Sequence, residues 1–299
     1  MPSIRIAIAT RSRSASSRRG VRCATWPSTR RGDVCLPYLS LTSTVPSSEA
    51  CTIDAAHPSH SLAPVSFTPA TLRFLQSLTR NNRKPWFEAH RAEYEAAVKG
   101  PLRELIEEMD VRLATFAPEI VGDPKRSMFR IHRDIRFSED KSPYKTHASC
   151  WFYHRDGTRA VGREAAGGGA GFYFQIGPGN SFVGGGMWMP PREALGRLRG
   201  AIAEDPGRFA RIAGDARVKR RFGGLSDEAM LKRVPRGFAP DHPAAQWLKH
   251  QSFVMGRELS DAQAVSARLP SLLEADFRLM VPLVRWINAV LGLKETGRL

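Results

Sequence analysis

The sequence predicts an α+β fold, a single domain with a mainly antiparallel sheet flanked by N- and C-terminal helices. Three observations lead there. Apolar residues recur at helical spacing after residue 65, period-two segments cluster in the middle, and helical spacing returns toward the C terminus. Strands grouped between helices, with no alternation of strand and helix, argue against a parallel βαβ arrangement. The chain has 299 residues and 42% hydrophobic content, enough for one large domain, and no stretch nears the roughly 20 apolar residues that span a bilayer. No internal repeat is evident.

Residues 1–64 stand apart. They hold twelve Ser, eight Arg and three acids without apolar periodicity, so they cannot offset the entropy of ordering. "IRIAIAT" is too short for a secretory core and runs into arginines. A transit peptide fits the composition; the simpler expectation is a disordered tail or an over-extended gene start. The folded domain is expected over 65–299.

Its elements follow in order. Thr68 is placed to cap a helix with Pro69 at its first position and Leu72, Leu75 and Leu78 on one face, closed by Asn81 and Asn82. Trp86, His90, Tyr94 and Val98 then recur four apart, with His90 read as a hydrogen-bonded core histidine. After Pro101 the stripe continues through Leu102, Leu105, Ile106, Met109 and Leu113. "MFRIHRDIRF", "HASCWFYH", "GFYFQIGPG" and "SFVGGGMWMP" read as four strands, and "RAVGREAAGGGAG" as a flexible hairpin excursion. "REALGRLRGAIAED" returns to helix. A turn-rich connector, "LKRVPRGFAPDHPAAQWLKHQSF", ends in a short strand. Final helices run from about Asp261, with Pro282 marking a kink or break. The five glycines between Gly177 and Gly186 read first as a hairpin turn and a strand on which another backbone packs closely. The functional version would turn bare amides toward a ligand.

Charge is concentrated in "FRIHRDIRFSEDKSPYKTH", Phe129 to His147, where five cations, three acids and two histidines meet a strand pattern and a Ser142-Pro143 turn. On a strand, Phe129, Ile131, Arg133, Ile135 and Phe137 share one side, and Arg130, His132, Asp134 and Arg136 the other. Arg133 thus falls on an otherwise apolar face and is expected to be a buried charge with an acidic partner other than Asp134, which is too close along a strand to share that face. Arg136, Lys141, Tyr144 and Lys145 are expected to line one pocket suited to an oxyanion, joined by Lys232, Arg233 and Arg236 from the connector beside His242. Asp134 and Asp140 would orient those cations or hold a divalent metal, and His147 would carry protons. No metal-ligand or triad spacing is present, and a structural ion-pair network is the alternative for the whole segment. Cys23, Cys35, Cys51 and Cys150 form no CxxC pair, so neither a zinc site nor a disulfide framework is indicated.

These residues resemble the signature of a bacterial and fungal family known as domain of unknown function 2461. Arg133, Asp134, Arg136, Phe137, Ser138, Asp140, Lys141, Pro143, Tyr144, Lys145 and Thr146 match its pattern position by position. Asn81, Asn82, Trp86 and Phe87 match its early helices. Lys232, Arg233, Pro235, Gly237, Phe238, His242 and Pro243 match a later block. The resemblance runs from about Val65 to Leu291. It implies one α+β domain in a cytoplasmic setting and names no activity or cofactor.

The net charge of +16 raises the expectation of an anionic partner, although the abundance of Arg, Ala, Gly and Pro suggests that compositional bias supplies part of it. Because the cations sit among acids in short motifs, a small phosphate- or carboxylate-bearing ligand is expected, and only weak, non-specific nucleic-acid binding. A nucleic-acid-binding module using the basic surface is the alternative. No membrane partner is expected. A chain shortened to start at Val65 should unfold with the same midpoint and cooperativity as the full chain, measured by circular dichroism melting. A large drop in midpoint would contradict the assignment of residues 1–64 to a dispensable tail.

Overall fold

The N-terminal helices form where the periodicity puts them. The computed structural model describes residues 67–136, 138–158 and 167–295; residues 1–64 and most of the "RAVGREAAGGGAG" excursion lie outside those described. Helix α1, Pro69–Arg80, begins at Thr68, whose hydroxyl accepts from the Ala70 amide while the Thr71 hydroxyl accepts from the Thr68 amide. Helices α2 (Lys84–Ala89), α3 (Arg91–Tyr94) and α4 (Gly100–Phe116) follow, with a π-helical turn at Glu95–Lys99 joining the last two. A π turn leaves backbone groups out of helical register. The Ala97 carbonyl is taken by the Thr71 hydroxyl at 2.6 Å, which ties α1 to the irregular turn. His90 donates from Nδ1 to the Trp86 carbonyl and stacks on the Trp86 ring; it is hydrogen-bonded as expected, but half-buried at the edge of the core.

Five strands make one antiparallel sheet in the order β1 (Ile120–Val121), β2 (Ala148–His154), β3 (Gly171–Ile176), β4 (Ser181–Met187), β5 (Phe253–Leu259). Pleating sends Cys150, Phe152, Phe172, Phe174, Val183 and Met255 to the main core, shared with α4 and the C-terminal helix α10, Leu269–Val290. Trp151, Tyr153 and Tyr173 form a second cluster on the opposite face, with Val121, Phe129 and Phe182 against it. Between β4 and β5 lie α5 (Arg192–Glu204), α6 (Pro206–Ala213), α7 (Ala216–Phe222) and α8 (Ala245–Leu248); α9 (Asp261–Ala264) precedes α10. Among the described residues no helix is long and apolar enough to cross a membrane.

The glycines of β4 serve packing. A Cβ on Gly185 would lie 2.8 Å from the Met280 sulfur of α10 and 2.9 Å from the Phe172 ring, and one on Gly186, whose φ is +124°, would meet the Phe253 carbonyl oxygen at 2.0 Å. The bare strand lets α10 approach closely, which is the first of the two readings the sequence allowed.

Helix α10 carries the polar ties of the core. Asp276, with no solvent exposure, accepts from Arg221 Nε of α7 at 2.6 Å and from Arg257 Nε of β5 at 2.9 Å. Buried Glu119 accepts from Arg285 at 2.7 and 3.2 Å, and the same guanidinium reaches the Phe116 carbonyl at 3.0 Å. Asn288 pairs with the amide and carbonyl of Ala170 as a neighbouring strand would. The helix does not break at Pro282. That residue is exposed, so the carbonyl it leaves unpaired, that of Arg278, faces water, while Met280, Leu283, Val284 and Ile287 pack without interruption.

"MFRIHRDIRF" is not a continuous strand. Met128 bridges Cys150 and His132 bridges Tyr144, so four residues of the outgoing limb span the same distance as six of the returning one, a bulge of two residues. Past Arg133 the ladder stops, because the following side chains bond to one another within the turn.

Asp276→Ala is expected to destabilise the fold by about 3–5 kcal/mol, because it strands Arg257 in the interior with no compensating charge. Urea unfolding followed by far-UV circular dichroism measures this, and a loss below about 1 kcal/mol would contradict the assigned role.

Candidate functional site

The charged hairpin largely satisfies itself. Arg136 donates from Nε and an Nη to the two Asp134 oxygens at 2.9 and 2.6 Å, holding that carboxyl down at about 2. Asp140 accepts from the Ser142 hydroxyl and amide and pairs with Arg133, so its carboxyl lies well below the usual range. Arg133 also donates to the Ser138 hydroxyl at 3.2 Å. The partner expected for Arg133 therefore exists, but the side chain is 26% exposed rather than buried. Where the ladder ends, the chain no longer holds this residue against the core, and an ion pair so exposed contributes about 1 kcal/mol or less. Lys141 donates to the Ile135 carbonyl at 3.1 Å.

Tyr144 points inward. Its ring stacks on Phe87 with centroids 4.2 Å apart, and its backbone amide and carbonyl are both held by the Asn82 side chain, at 3.0 and 2.9 Å. His132 leans on its other side at 5.2 Å. Tyr144 thus joins the hairpin to α2 through packing and is not among the residues that line the two cavities described below.

Lys145 and His147 are the two hairpin groups most altered by burial. Lys145 Nζ sits 5.3 Å from the centre of the Phe129 ring, and burial together with Arg130 brings its ammonium down to about 8. The His147 side chain packs over Gly177, and burial, then Lys145 and Arg133, lower its imidazole to about 4. It is neutral at physiological pH and poorly matched to proton transfer there.

Lys232, Arg233 and Arg236 do not join these residues. All three are exposed on the connector between α7 and α8, whose flanks pair with the β5 end of the sheet through Ser226 to Val254 and Met230 to His250. The hairpin pairs instead with β2, three strand spacings away, roughly 14 Å. His242 accepts from the Ala244 amide, a local turn contact. Among the described residues no group of three or more His, Cys, Asp or Glu is placed to hold a metal ion.

The concavity beside the hairpin is built from residues the charged motif does not contain, together with its first limb. A cleft of 1150 Å³ runs between the row Arg91, Glu95, Lys99, Arg103 and Glu107, spaced four apart along α3 to α4, and the segment from Gly122 to His132. Phe87, Tyr94, Met128 and Phe129 add apolar lining. Arg91 is paired with Glu88 and Lys99 with Glu95. Asp123 accepts from the Lys125 and Arg126 amides. Arg103, Lys125 and Arg130 form no direct ion pair with a carboxylate among the described residues, although Arg130 lies near enough to Asp134 to help lower its carboxyl, and they come from both walls. A smaller cavity of 510 Å³ lies at the β5 edge, walled by Phe182, Trp188, Phe222 and Val254.

The spacing of Arg91, Lys99 and Arg103 is visible in the sequence, but it reads equally as a solvated helix face. Only the fold shows that Lys125 and Arg130 stand opposite.

Residues 70–286 match the family described as conserved hypothetical protein (DUF2461), and the chain belongs to that family. No curated protein and no solved structure matches it.

The neutral His147 makes folding pH-dependent. Its folded value of about 4 lies below the ordinary 6.5, so the unfolded chain binds a proton that the native chain refuses in that window. Stability should therefore fall as pH drops from 6.5 toward 4, with a His147 contribution on the order of 3 kcal/mol, and the slope should flatten in His147→Gln. Equal slopes in the two proteins, measured by urea unfolding across that range, would contradict the burial assigned to His147.

Proposed function

We propose that this protein binds a small phosphate- or carboxylate-bearing molecule in the cleft between α3–α4 and the Gly122–His132 segment, and that it does so in the cytoplasm, the setting its family resemblance suggested. The observation that carries the reading is the set of three cations in no direct ion pair among the described residues, Arg103, Lys125 and Arg130, lining two walls of one concavity. Cations brought together from distant parts of a chain repel unless an anion joins them, and guanidinium groups suit a planar or tetrahedral oxyanion. Phe87, Tyr94 and Phe129 offer the apolar surface that small-molecule sites commonly have.

The hairpin supports this site from behind. Asn82 and Phe87 fix Tyr144, Tyr144 fixes His132, and the Lys145 amide bonds to the Ile131 carbonyl at 2.8 Å, so the limb bearing Arg130 is held in place. The cations of the turn itself, Arg136 and Lys141, are engaged locally and supply this support rather than ligand contacts. Asp134, Asp140 and His147 are likewise engaged or neutral, so binding, with no acid–base step, is what the geometry supports.

Pyrophosphate at a hundredfold its dissociation constant should raise the unfolding free energy by roughly 2.7 kcal/mol. The double variant Arg103→Ala/Arg130→Ala should lose at least tenfold in affinity by calorimetry while melting within a few degrees of wild type, since exposed cations contribute little to stability. No response to pyrophosphate in the wild type, or an undiminished one in the double variant, would overturn the proposal. So would tight, sequence-selective oligonucleotide binding at physiological salt, where the basic surface alone gives only weak, salt-sensitive affinity.

A further inference from the structure

The smaller cavity, at the β5 edge, has a different chemistry from the basic cleft. On β4 and β5, Val183, Met187, Phe253, Met255 and Leu259 face the main core, so Phe182, Gly184, Val254, Gly256 and Glu258 share the opposite face. In register, Phe182 stands beside Glu258 and Gly184 beside Gly256. A Cβ on Gly256 would lie 2.4 Å from Phe182 Cζ, and one on Gly184 2.7 Å from its Cε1. The Phe182 ring therefore lies along bare backbone and gives the cavity a flat floor. Trp188, just past β4, and Phe222, the last residue of α7, add two more rings. All three rings are half-buried around a space of 510 Å³. The backbone of this wall is distorted. Among the described residues Met189, beside Trp188 in the lining, is the one non-glycine with a positive φ, +45°, and its amide is held by the Ser252 hydroxyl at 2.9 Å. Unfavourable backbone conformations fixed by their surroundings cluster at binding sites.

The charges of the lining point to the sign of a ligand. Glu228 and Glu258 both line the cavity, exposed and in no direct ion pair among the described residues. The wall bearing Glu228 is fixed to β5 by the Ser226 amide, which donates to the Val254 carbonyl at 2.8 Å. Arg257 lines the cavity as well, but each of its nitrogens is engaged. Its Nε and Nη2 lie 2.9 and 2.8 Å from Asp276, and its Nη1 donates to the Glu258 carbonyl at 3.1 Å. Lys219 and Arg220 of α7 are exposed and do not line the space. In a chain of net charge +16, this concavity offers aromatic rings and uncommitted carboxylates but no uncommitted cation.

We propose that this cavity is a second binding site, for a small molecule that joins a flat aromatic ring to a protonated amine, an arylalkyl ammonium. The ring lies over Phe182 between Trp188 and Phe222, and the ammonium is held at the rim by Glu228 and Glu258. Aromatic faces attract an ammonium as the carboxylates do, whereas an anion of the same shape meets two like charges with no free donor to offset them. This assignment is independent of the anion-binding cleft.

Calorimetric titration of the folded full chain at physiological salt tests it with a pair of ligands alike in ring and length, phenethylammonium and 3-phenylpropionate. Phenethylammonium should bind at least about tenfold more tightly than 3-phenylpropionate. Glu228→Gln/Glu258→Gln should erase that preference while melting within a few degrees of wild type, since both side chains are exposed. Trp188→Ala should weaken both ligands. Saturating pyrophosphate should leave phenethylammonium binding unchanged. No binding of phenethylammonium at millimolar concentration would overturn the proposal, as would equal or tighter binding of 3-phenylpropionate. So would a preference that survives in the double glutamine variant, or displacement of the amine by pyrophosphate, since either places the amine elsewhere.

Discussion

One buried carboxylate organises the C-terminal half of the molecule. Asp276 lies at the middle of α10 with no access to water, and its charge is tolerable only because Arg221 and Arg257 approach it from α7 and β5. Desolvating these charges is costly, and hydrophobic replacements of similar shape would be about as stable. The triad instead sets geometry, fixing the height of α10 against the sheet edge and the rotation of α7. Gly185 of β4 then becomes obligatory, because at that height a side chain there would meet Met280, while Gly186 is required separately by its φ of +124° and the Phe253 carbonyl of β5. Glu119 with Arg285, and Asn288 with Ala170, extend the same logic toward β1 and the start of β3. The long helix is thereby registered on both sides of the sheet's centre.

At the other edge, the hairpin repeats this on a smaller scale and nearer to solvent. Its acids neutralise its own arginines, and its tyrosine is clamped by Asn82 and stacked on Phe87. A segment that looks like a binding motif is therefore mostly a rigid bracket, and the cations left over are those beside it. Arg130 faces the cleft and Lys145 lies over Phe129 behind the same limb. Preorganised cations on a fixed backbone lose less entropy on binding an anion than mobile ones, which is the role the bracket would have under the proposed function.

Much of the fold was legible in the sequence because local rules agreed with tertiary ones. Thr68 caps α1 through the capping pattern its sequence allows, the α4 stripe is the buried one, and β2, β3 and β4 fall in the period-two runs. Strand β1 is two residues long, too short for any period, and β5 was anticipated only as a short strand closing the connector. The alternation from Phe129 to Phe137 misled because charges seven or fewer residues apart could bond to one another, an option that strand geometry alone does not reveal. Hence Arg133 came to lie partly exposed. The Asp276 triad joins residues 55 and 19 positions apart, and no local signal marks such a pairing. The cleft escaped for the same reason, since its walls belong to a helix and a loop that read separately as solvated surface.

The central claim is that the anion-binding surface is the cleft and not the charged turn that first draws the eye. A crystal of the full chain soaked in tungstate, whose anomalous scattering marks its own position, tests this most directly. The account predicts a peak between Arg103 of α4 and Lys125 or Arg130 of the opposing segment. A peak on Arg136 and Lys141 at the hairpin turn, or on Lys232, Arg233 and Arg236 at the far edge of the sheet, with the cleft unoccupied, would contradict it.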